Sequence, residues 1–241
     1  MDFRNLKNNT ALITGGSKGI GFGIAMEMVK HGMNVGITSR SAKAAQTAAD
    51  ELNAAGPGKA IGIEADVRKM KDQEKAVKAV TDEFGSLDVL IANAGIGKFG
   101  SIEELSVEDW KDTIDTNLTG VFLSIKAALE ELKKSEGYII TISSLAGTNF
   151  FAGGSAYNAS KFGLTGFTQA VMLDLRQSGI KVSTIMPGSV ATYFNDHVPN
   201  DQDKWKIQIE DIGKMVVDLL EMNPRTLPSK IEVRPSKPPV R

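Results

Sequence analysis

Short apolar segments alternate along the chain with longer segments in which apolar residues recur every three or four positions. The first apolar segment, residues 10–14, ends at glycines and predicts a buried strand. Residues 20–31 have helical periodicity and are followed by Gly32, a common helix terminator. The same alternation continues through the chain. The other predicted strands are residues 34–38, 60–64, 88–92, 138–143, 181–186 and 230–233.

Helical periodicity predicts a helix between most of these strands. The first of these is an alanine-rich helix capped by Ser41 and ended by Gly56. Further helices are predicted at residues 71–84, 110–132 (interrupted near 112–115), 156–177 and 209–221. Strict alternation of strand and helix favours one parallel sheet with helices on both faces. Right-handed crossovers then give a doubly wound α/β domain of about seven strands.

Composition excludes several classes of function. The chain has 241 residues with 28 basic and 29 acidic side chains, and no basic run typical of nucleic-acid binding. It has no cysteine, which excludes disulfides, thiolate metal ligands and a cysteine nucleophile. With only two histidines, no metal site is expected.

Hydropathy gives no indication of a membrane protein. The first residues lack the apolar core of a signal peptide, and nowhere do eighteen apolar residues follow one another. We therefore expect no membrane partner and a cytoplasmic location.

The most informative residues for chemistry are Tyr157, Lys161 and Ser144. Residues four apart share one face of a helix, so the ammonium of Lys161 should lie beside the phenol of Tyr157. A nearby cation lowers the pKa of a phenol and brings it closer to working pH. Ser144 adds a hydroxyl that can hold the same substrate oxygen. Together they predict acid–base chemistry at a carbonyl oxygen.

A glycine-rich turn follows the first predicted strand. Such a turn allows close backbone approach to a ligand, and the following helix N-terminus offers free N–H groups to an anion. The candidate phosphate-binding residues are Gly15, Ser17, Lys18, Gly19, Ile20 and Gly21.

The end of the second predicted strand indicates which dinucleotide binds. An acidic residue there would bind the adenosine ribose of NAD, whereas this chain has Ser39 and Arg40. A guanidinium suits a phosphate, and Lys18, in the glycine turn, could reach the same phosphate. The expected cofactor is therefore NADP(H).

These motifs together resemble those of the short-chain dehydrogenases/reductases, in particular the 3-oxoacyl-acyl-carrier-protein reductases, over nearly the whole chain. The resemblance implies a single Rossmann domain, with a cofactor half at about 1–135, a catalytic and substrate part at about 136–234 and an extended tail at 235–241. Asn117 matches the family's fourth catalytic position. Further segments match the family's cofactor contacts at Asp66, Val67, Asn93, Ala94, Gly95, Pro187, Gly188, Val190 and Thr192.

The resemblance also implies catalytic roles. Tyr157 would be the proton donor in NADPH-dependent reduction of a small carbonyl substrate, and Ser144 would hold the carbonyl. Lys161 would lower the pKa of Tyr157 and bind the nicotinamide ribose. Tyr157 would also contact the cofactor. Asn117 would order a water chain that leads to Lys161.

Two regions depart from the family pattern. The segment 193–208 is short, which predicts an open cleft, with candidate lining residues Phe99, Phe150, Phe151, Tyr193, Phe194 and Trp205. The C-terminal segment 229–235 lacks the family's glycines, and the proline-rich tail is expected to be solvated. A homodimer therefore remains possible beside the homotetramer that the family commonly forms.

Three alternatives remain open from the sequence. An acyl-carrier-protein substrate would need a basic rim, for which Lys133, Lys134 and Arg176 are candidates. A non-catalytic NADP(H)-sensing regulator would not need the four catalytic residues. A metal-dependent alcohol dehydrogenase lacks ligands.

Overall fold

Seven parallel strands form one sheet in a computed structural model, which describes residues 5–239. The strands lie in the order β3-β2-β1-β4-β5-β6-β7. This order reverses direction between β1 and β4, so the connections that follow these two strands leave toward opposite faces of the sheet. The strands are β1 (Thr10–Ile13), β2 (Asn34–Ser39), β3 (Ala60–Glu64), β4 (Val89–Ala92), β5 (Tyr138–Ile142), β6 (Lys181–Pro187) and β7 (Lys230–Val233).

Helices cover both faces of this sheet, which confirms the doubly wound α/β fold predicted from the sequence. Helices α1, α2 and α7 pack on one face, and α3 to α6 lie on the other. The helices are α1 (Gly19–Lys30), α2 (Ala42–Asn53), α3 (Met70–Phe84), α4 (Val107–Ile114), α5 (Gly120–Ser135), α6 (Ser155–Leu175) and α7 (Ile209–Glu221).

Burial on both faces explains why the central strands are continuously apolar. In β1, Ala11 and Ile13 face the core beneath α1 and α7, whereas Leu12 faces the core beneath α3 and α5. All four residues of β4 are buried as well. The predicted cap of α2 is confirmed, since Ser41 Oγ accepts a hydrogen bond from Ala44 N at 3.3 Å.

The predicted helix at 110–132 needs correction at its start and at its interruption. Helix α4 begins at Val107, where Ser106 Oγ accepts a hydrogen bond from Asp109 N at 3.0 Å. The interruption lies at Asp115–Thr119, where the chain makes a π-helical turn rather than a break. A π turn keeps the backbone hydrogen-bonded, so α4 and α5 remain one continuous helical segment. Asn117 is buried in that turn.

Within residues 5–239, no helix combines the length and the apolar character needed to cross a membrane. The same residues contain no group of three or more histidine, aspartate or glutamate side chains placed to hold a metal ion.

Candidate active site

The glycine turn between β1 and α1 is held close to the end of β4. Gly15 and Gly19 have positive φ angles of 64° and 60°, which side-chain-bearing residues adopt with strain. A Cβ on Gly15 would lie 2.9 Å from the Cα of Ala94. Thr38 at the end of β2 also contacts the turn, since its Oγ1 accepts from Gly15 N at 3.3 Å. Only glycine allows the backbones of these three segments to approach so closely.

Thr14 and Asn93 tie the ends of β1 and β4 together. The Asn93 Nδ2 donates to the carbonyl oxygens of Thr14 and Gly15 at 2.9 and 3.1 Å. In return, Thr14 Oγ1 accepts from the backbone N–H groups of Asn93 and Ala94 at 3.0 and 3.1 Å. The side chain of Asn93 therefore fixes the shape of the glycine turn.

A cavity of about 720 Å³ opens above these strand ends. Every residue predicted to bind the cofactor lines this cavity except Gly21. A Cβ on Gly21 would lie 2.5 Å from Asn93 Nδ2, so this glycine serves close packing of α1 against the turn. The predicted residues that line the cavity are Gly15, Ser17, Lys18, Gly19, Ile20, Ser39, Arg40, Asp66, Val67, Asn93, Ala94, Gly95, Tyr157, Lys161, Pro187, Gly188, Val190 and Thr192.

Several cationic residues of this cavity were missed by the sequence analysis. Lys18 and Arg40 were expected there, and Arg68, Lys98 and Lys206 join them. Each lies in a loop or just beyond a strand, where the hydrophobic pattern carries no information about side-chain position. The three additional cations are ion-paired with aspartates, whereas Lys18 and Arg40 have no ion pair within residues 5–239. These two residues therefore best suit an anionic ligand.

Arg68 holds the predicted adenine-site carboxylate of Asp66. Its Nε lies 3.0 and 3.1 Å from the two carboxylate oxygens, and its Nη2 lies 2.7 Å from Oδ2. These hydrogen bonds lower the pKa of Asp66, with Arg40 adding a smaller electrostatic effect in the same direction. Arg68 Nη1 also reaches Asp112 on α4 at 2.9 Å. Asp66 is thus oriented as an ionised acceptor.

An ion-paired cluster closes the loop between β6 and α7. The carboxylate of Asp203 lies 2.6 Å from His197 Nε2 and 2.6 Å from Lys206 Nζ. It also accepts from Asn200 N at 3.1 Å. These partners, led by Lys206, hold the pKa of Asp203 well below its usual range. The cluster fixes a loop whose His197 and Lys206 line the cavity.

Helix α6 places Tyr157 and Lys161 together, as the spacing predicted. The Lys161 Nζ lies 5.8 Å from the centre of the Tyr157 ring and donates to the carbonyl oxygen of Ile142 at 3.0 Å. Ser144 follows β5 and lines both cavities together with Tyr157. The groups predicted to be catalytic therefore meet at the carboxyl end of β5.

The pKa of Tyr157 differs from the expectation. Burial raises it, and the Ser144 hydroxyl opposes that effect only in part. Lys161 is only 4% exposed, and the same desolvation lowers its pKa to about 8. The expected lowering of the phenol pKa by Lys161 is wrong for the protein alone, because burial penalises the charged form of both groups.

Asn117 is placed by the π turn but lines neither cavity among the described residues. Its Nδ2 donates to Ile96 O at 2.9 Å and to Ser160 Oγ at 3.0 Å. Its Oδ1 accepts from Ile96 N at 2.8 Å. Both N–H groups are thus used within the protein, and one lone pair of Oδ1 is left for the predicted water chain. Asn117 braces the segment after β4 against α6.

A second cavity, of about 730 Å³, adjoins the first. The two share Ser144, Tyr157, Gly188 and Ser189, so they meet at the hydroxyls of Ser144 and Tyr157. The proline-rich tail is exposed at residues 236–239, as expected, and it also lies beside this cavity. Arg234, Pro235, Pro238 and Pro239 line this second cavity, because β7 ends beside β6 and delivers them there.

Aromatic side chains surround Tyr157. The rings of Phe99 and Phe194 lie 5.4 and 5.7 Å from its ring, in tilted or edge-on arrangements that aromatic pairs favour. Of the six aromatics proposed for the cleft, Phe150, Phe151 and Trp205 line the second cavity. Tyr193 and Phe194 line the first. The phenol of Tyr157 is therefore flanked by apolar rings.

The architecture defines a class of protein. A doubly wound sheet, a glycine turn at a helix N-terminus and a hydroxyl pair beside a buried lysine together form a dinucleotide-binding oxidoreductase site. The match to a family model is more specific: residues 9–203 match the short chain dehydrogenase family. The chain belongs to this family of oxidoreductases.

Two named relatives match most of the chain. The chain is 37% identical over 199 residues to a 3-oxoacyl-acyl-carrier-protein reductase of Vibrio cholerae, covering 82% of this chain and 80% of the relative. It is 40% identical over 187 residues to trans-4-hydroxycyclohexanecarboxylate dehydrogenase of Sinomonas cyclohexanicum, covering 76% and 72%.

Solved structures agree on the fold. An alcohol dehydrogenase from Thermococcus sibiricus in complex with 5-hydroxy-NADP superposes with a TM-score of 0.90 at 28% identity, covering 97% of this chain and 99% of that one. A 3-ketoacyl-(acyl-carrier-protein) reductase from Brucella melitensis in complex with NADH gives 0.85 at 25% identity, covering 96% and 98%. The family thus includes structures with either type of nicotinamide cofactor.

The burial of Lys161 predicts a conflict between stability and function. Replacing it in Lys161→Met removes a desolvated ammonium whose pKa is lowered from 10.5 to about 8. We expect the free energy of unfolding at pH 7 to increase by about 1–2 kcal/mol, less than the full pKa shift implies because the hydrogen bond to Ile142 is also lost. Between pH 8 and 10.5 the native lysine is neutral while the unfolded one is still charged, so the wild type gains stability as pH rises.

The advantage of the variant should therefore be constant below pH 8 and shrink above it. Chemical denaturation at several pH values measures this. Lys214→Met, at an exposed lysine of α7, is the control and should change stability little. A destabilised Lys161→Met protein at pH 7 would contradict the prediction.

Proposed function

We propose that this chain is an NADPH-dependent carbonyl reductase that converts a small ketone to an alcohol. The meeting of the two cavities at Ser144 and Tyr157 is the observation that carries this proposal. One cavity has the glycine turn and the cations that suit a dinucleotide, and the other has apolar walls that suit an organic carbonyl compound. A hydride can pass between them only where they join.

The residues present fit a nicotinamide dinucleotide. The glycine turn and the N-terminus of α1 would bind its phosphates, and Asp66 and Val67 would hold the adenine. The segment from Pro187 to Thr192 would hold the carboxamide, as the family resemblance implies. When bound, the reduced nicotinamide supplies a hydride to the carbonyl carbon.

Tyr157 then acts as the general acid. Because burial raises its pKa, its hydroxyl is protonated at neutral pH and ready to donate a proton to the carbonyl oxygen. Ser144 donates a second hydrogen bond to that oxygen. The ammonium of Lys161 stabilises the phenolate that remains. The raised pKa favours reduction at neutral pH, since alcohol oxidation would require the phenolate.

Replacing Tyr157 by phenylalanine tests this role. Tyr157→Phe removes the proton donor and should lower kcat for ketone reduction by at least about 10²-fold, the range typical of general acid catalysis, while NADPH still binds. Initial rates of NADPH oxidation and fluorescence titration of NADPH measure the two effects. Tyr138→Phe removes a phenol that bonds Ser183 at the other end of β5, and its kcat should stay near that of the wild type.

A near-normal kcat in Tyr157→Phe would show that Tyr157 is not the proton donor. If the wild type binds NADPH but reduces no ketone, diketone, quinone or acetoacetyl thioester, the non-catalytic NADP(H)-sensing regulator is the better description.

The preference for NADP(H) is proposed from Ser39, Arg40 and Lys18. All three line the first cavity, and none of the residues at the end of β2 is acidic. The 2′-phosphate of NADP would gain charge-assisted hydrogen bonds from Arg40. The adenosine of NAD carries no phosphate there, so the same residue gives it no comparable interaction.

Removing the guanidinium tests the cofactor preference. Arg40→Ala should lower kcat/KM for NADPH by about tenfold or more and change kcat/KM for NADH little, since one charge-assisted hydrogen bond contributes roughly that much. Lys43→Ala, at an exposed lysine of α2 outside the cavity, is the control. An unchanged NADPH/NADH ratio in Arg40→Ala would refute the assignment.

A 3-oxoacyl-acyl-carrier-protein reductase is the second candidate, because relatives with that activity are among the matches. The candidate docking rim gives it limited support. Lys133 pairs with Glu130 at 2.9 Å, and Lys134 pairs with Glu131 at 2.7 Å, so acidic neighbours offset much of the positive charge. A free small-molecule substrate fits this surface better than an acidic carrier protein does.

We also propose that two copies of the chain pair through α5 and α6. Exposed apolar side chains lie on both helices: Phe122 is 44% exposed, Phe162 43% and Leu173 59%. The rings of Phe122 and Phe167 meet between the helices at 6.3 Å, so the exposed groups lie close together. Neighbouring exposed apolar groups of this size mark interaction surfaces.

The dimer has a direct test. The wild type should elute as a dimer, and Phe162→Asp should shift it to the monomer, because a carboxylate cannot be buried unpaired in the interface. Size-exclusion chromatography with light scattering measures this. Ile102→Asp, at an equally apolar and more exposed position outside these helices, should leave the dimer intact. A tetramer that Phe162→Asp leaves unchanged, or a monomeric wild type, would contradict the proposal.

A further inference from the structure

The chain after β7 forms one wall of the substrate cavity. Arg234, Pro235, Pro238 and Pro239 lie on the wall, and Ser144 and Tyr157 line the same space. Strand β7 sets this position, because it pairs with β6 in register Pro187 to Val233 and Gly188 N donates to Val233 O at 2.8 Å. Residues that the sequence predicted to form a solvated tail therefore line the same cavity as Ser144 and Tyr157.

Arg234 is the one charged side chain among the described residues that line this cavity. The other walls are mostly apolar, with polar groups limited to uncharged hydroxyls and an amide. The apolar and aromatic lining residues are Leu145, Ala146, Phe150, Phe151, Trp205, Pro235, Pro238 and Pro239. A single cation in an otherwise uncharged cavity with apolar walls selects ligands that carry one anionic group.

The guanidinium of Arg234 has donors left for a ligand. Its Nη2 donates to Glu232 Oε2 at 3.0 Å, and within residues 5–239 it makes no other ion pair or side-chain hydrogen bond. The Arg234 side chain is 57% exposed, so a ligand can reach it. Guanidinium presents five N–H donors in a planar fork that matches a carboxylate. At least one pair of adjacent donors remains available.

Glu232 competes for the same cation. Its Oε1 also accepts from Thr148 Oγ1 at 3.4 Å, which holds the carboxylate beside Arg234. Glu232 itself does not line the cavity. Glu232 therefore neutralises part of the charge of Arg234, but within residues 5–239 its ion pair engages only Nη2 of the guanidinium.

We propose that Arg234 binds a carboxylate of the substrate, which makes the substrate a keto acid. This inference rests on the proposed carbonyl reduction. The ketone lies at Ser144 and Tyr157, an apolar, ring-sized body contacts the aromatic and proline walls, and the carboxylate pairs with Arg234. The carbonyl carbon accepts the hydride, its oxygen accepts the proton from Tyr157, and the carboxylate is unchanged in the hydroxy acid product.

Two ketones that differ only in charge test this. 4-Acetylbenzoate carries the carboxylate, and methyl 4-acetylbenzoate carries a neutral ester of similar size. The wild type should have the lower KM for the acid. Arg234→Gln should raise that KM about fivefold, the scale of a partly exposed charged pair, with kcat and the KM of the ester unchanged. Arg234→Lys should restore part of the affinity, because it keeps the charge but loses the fork.

Two further variants separate this role from general effects of charge. Glu232→Gln frees the guanidinium and should lower the KM of the acid. Lys237→Ala removes another cation of the same tail that does not line the cavity, and it should change neither KM. Raising the salt concentration should weaken binding of the acid and leave the ester unaffected.

Calorimetric titration of 4-acetylbenzoate into the NADP⁺-saturated protein, which cannot transfer a hydride to the ketone, separates failure of this inference from failure of the proposed function. Binding that Arg234→Gln weakens supports the carboxylate site even if neither ketone is reduced. Reduction of both ketones with equal KM, or equal losses for acid and ester in Arg234→Gln, overturns the carboxylate site and leaves the reductase intact. Absence of binding of the acid to the wild type also overturns it.

Discussion

The hydrogen bonds between Thr14 and Asn93 are the constraint on which the site depends. Strands β1 and β4 are neighbours at the point where the order of strands reverses, and the chain leaves them in opposite directions. A cleft between diverging connections exists in any doubly wound sheet. Here the reciprocal bonds of the two side chains hold the glycine turn against the segment after β4. The backbone N–H groups of the turn are thereby fixed before any ligand arrives.

Burial is the second organising factor, and it acts on charge. Lys161 lies in the interior beside β5, where its ammonium is desolvated and donates to a backbone carbonyl. In the proposed mechanism this destabilising group has a function, because its ammonium stabilises the phenolate of Tyr157. The same apolar surroundings keep the phenol protonated. Acid–base function and stability therefore oppose each other on one face of α6.

The substrate cavity is assembled from segments that are far apart in the chain. The loop after β5 supplies Ser144 and two phenylalanines, the loop before α7 supplies Trp205, and the end of β7 supplies Arg234 and the prolines. The ion pair of Asp203 with Lys206 and its hydrogen bond with His197 stiffen the second of these segments. The short loop before α7 and the exposed segment after β7 therefore both contribute to this cavity.

The sequence by itself determined the fold and most of the cofactor site, because both depend on local patterns. Apolar runs alternating with helical periodicity define a doubly wound sheet, and the turn after β1, the end of β2 and the spacing of Tyr157 and Lys161 place side chains relative to their own elements. Tertiary structure alone decided the rest. Arg68, Lys206 and Arg234 reach the cavities through loops and a terminal segment, whose path is set by packing and not by periodicity. The pKa of Tyr157 could not be anticipated either, since desolvation depends on the surfaces of Phe99 and Phe194 that the fold brings to it.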